Sequence, residues 1–257
     1  MRRLFTEERL SKIVELLAGD RRVAVSELSR LLDVSESTIR RDLNLLEKQG
    51  LIKRTHGGAV PATSTAFEPS FFQKEIEFIE EKKSIGRKAA EMIEEGETVI
   101  LDSGTTTLQI AKCCASKRNL TVVTNSIHVA LELSGAEYVE VVVVGGSLRK
   151  KTLALVGPVT EDGLRGLYAD KVFLGVNGIS AGRGLSTPNI VEARAKRAML
   201  CAAREAIVVA DHSKMGREAF ASIAPLDRVQ ALITDRGISD SDRRMIEEKG
   251  VRVIVAD

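Results

Sequence analysis

The sequence predicts an α/β protein in two unequal parts: a short helical module, then a larger open sheet covered by helices. Three observations carry this expectation. The 257 residues exceed the ~100–200 of an ordinary domain. Apolar residues keep helical spacing only to about Lys48. From about Lys82 onward, short β-branched runs alternate with helical segments. The boundaries that follow are a first domain over 1–60, a linker over 61–75 and a second domain over 76–257.

In the first domain, Leu10, Ile13, Val14 and Leu17 form one apolar stripe, and Ile39, Leu43 and Leu46 form another. Ser26 is expected to cap a short helix between them. Beyond Asp33 and Val34, Ser35 caps a third helix, with Glu36 placing negative charge at its positive end. Asp33 stands in a turn where glycine is commoner, because Asp accepts positive φ less readily. Gly50 is placed to close the third helix, and Leu51–Gly58 reads as a strand and turn. Pro61, Pro69 and a Thr/Ser-rich patch mark the linker. Phe67, Phe71, Phe72 and Phe78 crowd this span, which predicts docking on a surface or a partner subunit.

In the second domain the expected strands are Thr98–Leu101, Leu120–Val123, Val139–Val144, Lys171–Val176, Ala206–Ala210, Ala231–Thr234 and Val251–Val255. Strands alternating with helices imply a largely parallel sheet buried on both faces.

Composition narrows the function. The formal charge is +2, so any basic surface is local, and residues 1–60 hold twelve basic against nine acidic side chains. No apolar run approaches the ~18 residues of a membrane span, and Glu7 and Glu8 interrupt the basic start before a signal-peptide core develops. A cytoplasmic location without membrane attachment is expected. Cys113, Cys114 and Cys201 lack metal-ligand spacing, and His128 lies in a helix without a paired ligand, so no metal and no cofactor are expected.

On the third helix Ser37, Arg41, Asn44 and Lys48 project opposite the apolar stripe. Arg suits guanine, Asn suits adenine and Lys suits phosphate in a major groove, with Ser35 and Ser37 at the helix start. Three short helices followed by a strand pair bearing Lys53, Arg54 and His56 predict a winged helix-turn-helix. Further on, strand Thr98–Leu101 runs into Asp102-Ser103-Gly104-Thr105-Thr106-Thr107 and then a helix. Free backbone N–H groups and hydroxyls at a helix N-terminus cradle a phosphate-sized anion. The loop is neither a P-loop nor a GxGxxG turn, which argues against an NTPase or a dinucleotide enzyme. Polar or Gly-rich segments also follow the other strands, and Asn125, Asn177, Asp211 and Lys214 are candidates for sugar hydroxyls and charge.

The segment "VSELSRLLDVSESTIRRDLNLLEKQGLIKRTHGGAV" from Val25 to Val60 strongly resembles the DNA-binding module of the DeoR family of bacterial transcriptional regulators. The segments "LDSGTTT", "VVTNS", "VVGGSLR", "GVNGI" and "VVADHSKMG" resemble its sensor domain, itself similar to ribose-5-phosphate isomerase and the amino-sugar phosphate deaminases. The resemblance implies that Ser37, Thr38, Arg40, Arg41, Lys53, Arg54 and His56 lie at the DNA interface. It also implies that Asp102, Ser103, Gly104, Thr105 and Thr106 hold the phosphate of a sugar effector, with Asn125, Gly146, Asn177, Glu192, Asp211 and Lys214 lining the rest. Arg149, beside Lys150 and Lys151, is a second phosphate candidate or part of a solvated loop.

The expected function is a repressor of a sugar catabolic operon, released by a phosphorylated sugar, acting as a homodimer or homotetramer on double-stranded operator DNA. Gly175-Val176-Asn177-Gly178 stands where the related isomerases carry carboxylates, which argues against catalysis. Asp211-His212-Ser213 on a single turn lacks triad geometry. An isomerase-like enzyme with an appended DNA-binding domain, or a scaffold whose α/β domain only oligomerises, remains open on the residues alone.

Overall fold

The computed structural model describes residues 6–17, 23–48, 51–55, 57–61 and 68–257. The chain separates into two compact units, Met1–Pro69 and Ser70–Asp257.

The first unit contains α1 (Thr6–Leu17), β1 (Val23–Ala24), α2 (Val25–Leu32), α3 (Glu36–Lys48), β2 (Ile52–Thr55) and β3 (Gly58–Pro61). Its three strands form an antiparallel sheet in the order β1-β3-β2. Leu10, Ile13 and Leu17 of α1 pack with Leu28 of α2 and with Ile39, Leu43 and Leu46 of α3, as helical periodicity requires. Beneath them Arg9 grips Asp42 through two hydrogen bonds of 2.6 and 3.1 Å, a buried bidentate pair that ties α1 to α3.

Helix α2 starts two residues earlier than the expected cap implies. Its N-cap is Ala24, with no side-chain bond, rather than Ser26. Tertiary contacts replace the side-chain cap, since β1 pairs with β3 and the Val25 N–H donates to the Gly57 carbonyl at 2.9 Å. Asp33 does adopt the left-handed conformation, at φ 52°, and closes α2 by donating its N–H to the Ser29 carbonyl. Ser29 Oγ donates to the Val34 carbonyl at 2.6 Å, bracing the turn into α3. The expected closing role of Gly50, and residues 62–67 of the expected linker, lie outside the described residues.

In the second unit the elements continue as α4 (Phe71–Ile76), α5 (Ile79–Glu91), β4 (Thr98–Leu101), α6 (Thr105–Cys114), β5 (Leu120–Thr124), α7 (Ile127–Leu133), β6 (Val139–Val143), β7 (Ser147–Arg149) and β8 (Ala154–Val156). They conclude with α8 (Pro158–Arg165), β9 (Ala169–Gly175), β10 (Gly178–Ser180), β11 (Gly184–Thr187), α9 (Ile190–Cys201), β12 (Ala203–Val209), β13 (Ala221–Ala224), β14 (Ala231–Asp235), α10 (Asp240–Glu247) and β15 (Arg252–Ala256). All seven strands anticipated from sequence join one parallel sheet, in the order β15-β14-β12-β9-β4-β5-β6.

Alternate residues of these strands feed two cores. Ile100, Val172, Leu174 and Val208 pack with α8, α9 and α10, whereas Val99, Leu101, Phe173 and Ile207 pack with α5, α6 and α7. Two small additions were not legible as strands: the β7–β8 hairpin and an antiparallel β10-β11-β13 sheet. The end of the expected linker is helical as part of α4, Phe71–Ile76, capped by a reciprocal Ser70–Gln73 capping box. Phe71 is buried and stacks on His128 of α7, with ring centroids 4.0 Å apart, and its N–H donates to the Lys151 carbonyl at 2.9 Å.

Gly86 allows α5 and α6 to touch. A Cβ there would stand 2.7 Å from Gln109 Cβ and 2.8 Å from its carbonyl carbon. No helix among the described residues is long and apolar enough to cross a membrane.

Candidate functional site

Two surfaces follow from this architecture. On α3, the face turned away from Ile39, Leu43 and Leu46 exposes Ser35, Ser37, Arg40, Arg41, Asn44 and Lys48, with Thr38 half-buried. Ser35 Oγ accepts the Thr38 N–H at 3.2 Å and lies 2.8 Å from Ser37 Oγ, so the hydroxyls at this helix start are held as a group. Arg40 pairs with Glu36 at 3.1 Å along its own helix, and Arg54 of β2 donates to Asn44 Oδ1 at 2.5 Å. That last bond joins the hairpin to the exposed face of α3 and places Arg54 beside the expected base-reading residues. Lys53 lies on β2 opposite Val60 of β3. His56 lies outside the described residues.

The second surface sits where the sheet reverses direction. From β4 the chain runs outward through β5 and β6, then returns to the other side of β4 with β9 and continues through β12, β14 and β15. Ligands of open α/β sheets collect at the carboxyl ends of strands beside such a reversal. Asp102 at the end of β4 and Gly175 at the end of β9 meet there. Asp102 Oδ2 accepts the Gly175 N–H at 3.0 Å and the Lys196 ammonium, which also donates to the Gly175 carbonyl at 2.9 Å. Burial pushes the Asp102 carboxyl above the usual range, and Lys196 pulls against that shift.

Helix α6 begins immediately beyond Asp102. Its N-cap, Gly104, is extended and offers no side-chain bond, so the positive end of the helix is left for another acceptor. Thr105 and Thr106 are buried at this terminus, and Thr107 Oγ1 donates to the carbonyl of Asp102 at 2.5 Å.

Glu192 organises the adjoining wall. Its carboxylate accepts from Arg149 at 2.6 Å and Thr152 at 2.5 Å, and Thr187 lies 3.4 Å away with a second bond of 3.0 Å to Asn177 Oδ1. Burial alone would raise the Glu192 carboxyl, but Lys196 and Arg149 hold it below its usual value. Asn125 donates to the Leu155 carbonyl of the β7–β8 hairpin at 2.9 Å, while its buried Oδ1 has no hydrogen bond among the described residues. That oxygen suits a ligand hydroxyl.

The structure therefore gathers Asp102, Asn177, Glu192 and Arg149 through Lys196, Thr152 and Thr187. Arg149 is not part of a solvated loop; it lies on β7 and is fixed by Glu192. Asp211 and Lys214 join a different cluster, 3.5 Å apart, with Ser213 bonded to Asp211. Lys82 stands close enough to feel both charges; burial holds its ammonium down at about 8. Gly146 is held under α8: a Cβ there would stand 2.1 Å from Thr160 Oγ1 and 2.8 Å from the Val156 carbonyl oxygen.

Sequence reasoning missed Lys196, Lys82 and Lys74, whose charge reaches Glu192. The one local signal for Lys196 is its place a helical turn after Glu192 on the same face of α9. Across both clusters Lys74, Lys82, Arg149, Lys196 and Lys214 outnumber Glu77, Asp102, Glu192 and Asp211, so the field favours an anion. A cleft of about 470 Å³ also lies between α8 and α9, lined by Arg165, Arg194 and Arg197. We place the candidate site at the strand ends instead, because buried, mutually fixed polar groups converge there.

Known proteins match both regions. The family described as DeoR-like helix-turn-helix domain matches residues 9–65, and the DeoR C terminal sensor domain matches residues 77–236. The chain is 42% identical over 247 residues to the HTH-type transcriptional regulator GlpR of Haloferax volcanii, spanning 96% of each chain. It is 39% identical to the putative aga operon transcriptional repressor of Escherichia coli, over 97% of this chain and 94% of that one. It is 37% identical to the glycerol-3-phosphate regulon repressor of Escherichia coli, over 89% of this chain and 90% of that one. Among solved structures, ribose 5-phosphate isomerase A from Methanocaldococcus jannaschii aligns with 54% of this chain and 55% of its own at 14% identity and a TM-score of 0.39, a likeness too distant to bear on function.

Proposed function

Because the chain belongs to the DeoR family of transcriptional regulators, we propose that it is a cytoplasmic repressor of a sugar catabolic operon that releases its operator when a phosphorylated sugar occupies the strand-end crevice. The observation that carries this reading is the uncapped N-terminus of α6 beside the reversal of strand order, walled by Arg149, Lys196 and Glu192.

In this reading residues 1–60 read DNA, 61–75 connect and 76–257 sense the effector. Arg41, Asn44 and Ser37 face the bases, while Arg40, Lys48, Lys53, Arg54, Ser35, Thr38 and His56 meet the flanking backbone. Asp102, Ser103, Gly104, Thr105 and Thr106 surround the phosphate. Asn125, Asn177, Glu192 and Arg149 take the sugar, with Asp211, Lys214 and Gly146 at the margin. A homodimer presents two heads to a two-fold operator, and an effector coupling of ~1–3 kcal/mol changes affinity about 5–150-fold.

The test selects tight-binding duplexes from genomic fragments with the full chain, then titrates the selected duplex against a panel of sugar phosphates. Release by at least one of them, lost in Lys214→Met, is the expected result. A selected duplex held equally tightly with a sugar phosphate demonstrably bound would overturn the reading.

A further inference from the structure

We propose that the β6 edge of the sensor sheet is the seam between two copies of this chain, pairing antiparallel about a two-fold axis centred on Val141; this rests on the two-headed reading above. β6 ends the seven-stranded order, with β5 on its only paired side. The Val144 N–H donates to the Thr124 carbonyl and the Tyr138 carbonyl accepts from Leu120, so even-numbered residues face β5. By strand alternation the N–H and C=O groups of Val141 and Val143 point outward from the sheet edge.

Natural proteins blunt such an edge with charge, proline or a covering element. Here β6 carries one exposed charge, Glu140, while Val142 and Val143 are 37% and 43% exposed. The opposite edge, β15, has only Arg252 exposed.

The strand is self-complementary. A two-fold centred on Val141 sets that residue opposite its own copy, and Val139 opposite Val143 on either side. Each of these is a hydrogen-bonding pair; because the Val139 N–H already donates to the Ala136 carbonyl at 3.5 Å, about four backbone bonds remain for the seam. On the α7 side every cross-strand pair is then valine on valine, a favourable β-branched match. Charge agrees with the direction. Glu137 and Glu140, both exposed, lie at the start of the strand, and the exposed Lys150 follows its end in the β7–β8 turn, so antiparallel pairing turns the acidic start of one copy toward the basic end of the other.

The experiment measures the mass of the full chain by sedimentation equilibrium, together with its melting temperature. Val143→Lys charges a side chain that is already exposed. Val141→Pro deletes an outward N–H while leaving the bonds to β5 intact. Either is expected to lower the assembly by one step, dimer to monomer or tetramer to dimer, with a dissociation constant raised at least about tenfold, while melting stays cooperative and loses its dependence on protein concentration.

Should Val141→Pro fail to fold, Val143→Lys and cross-linking decide. In a Cys201→Ser background, Val141→Cys is expected to form an intermolecular disulfide, because its copy lies directly opposite. Glu140→Cys, offset from its own copy by two residues, is expected to form none. Folded variants with unchanged mass and no disulfide through residue 141 would overturn the seam and leave the two-headed reading standing. A wild-type chain monomeric at every concentration would overturn both.

Discussion

Replacing Lys196 by methionine removes the counter-ion of a carboxylate that is fully buried at the strand reversal. Methionine keeps most of the lysine stem, so the change isolates charge from packing. Asp102 then retains the Gly175 N–H at 3.0 Å as its close donor. Breaking one side of a buried ion pair costs about 3–5 kcal/mol, and a unit of this size loses ~2–4 °C for each kcal/mol, which gives a drop of roughly 6–20 °C at pH 7.5.

The loss depends on pH. Burial already raises the Asp102 carboxyl, and without Lys196 nothing of comparable strength opposes it. A carboxyl whose folded-state value exceeds its unfolded value gives its full stability below the unfolded value and loses it as pH rises through the folded value, about 1.4 kcal/mol per unit. The difference between variant and wild type is therefore largest at the higher pH and shrinks as pH falls and Asp102 takes up a proton. Scanning calorimetry at pH 7.5 and pH 5 provides the check. A drop below about 2 °C at pH 7.5, or one equal at both pH values, would refute the account of Lys196 as the partner that opposes the upward shift of Asp102.

Other expectations are shorter. Gly86→Ala forces α5 and α6 apart at Gln109 and should cost about 1–3 kcal/mol, visible as a lower urea midpoint with an unchanged slope. Arg9→Met strands Asp42 in the core of the first unit; a loss of ~3–5 kcal/mol should melt that unit and leave calorimetric melting of the second in place. Arg41→Ala, exposed on α3, should weaken a selected duplex by ~1–3 kcal/mol in a fluorescence titration without altering sugar-phosphate uptake; equal operator affinity would remove Arg41 from the reading surface.

The parallel sheet was legible because strands buried on both faces must be continuous β-branched runs, as in Thr98–Leu101 and Ala231–Thr234. The β10-β11-β13 sheet was not, since its strands are three or four residues long and one pairing shifts register at Leu185–Ser186. Ser26 misled as a cap because a strand contact at Val25, remote in sequence, already settles the start of α2. The strand-end loop and helix start proposed to hold a phosphate could be read from Asp102 to Thr107, a contiguous segment. Lys196 could not, because its charged, helical neighbourhood looks solvated until β4 and β9 close over it.

The two-residue strand β1 has a mechanical effect out of proportion to its length. By hanging the entry of α2 from the hairpin, it fixes α2 to the same strands whose Arg54 reaches Asn44 of α3, so the hairpin braces both helices at once. On the proposed reading, a groove of the wrong width has to be reshaped by the duplex itself, so the stiffness of base steps that neither element touches would enter what the molecule discriminates.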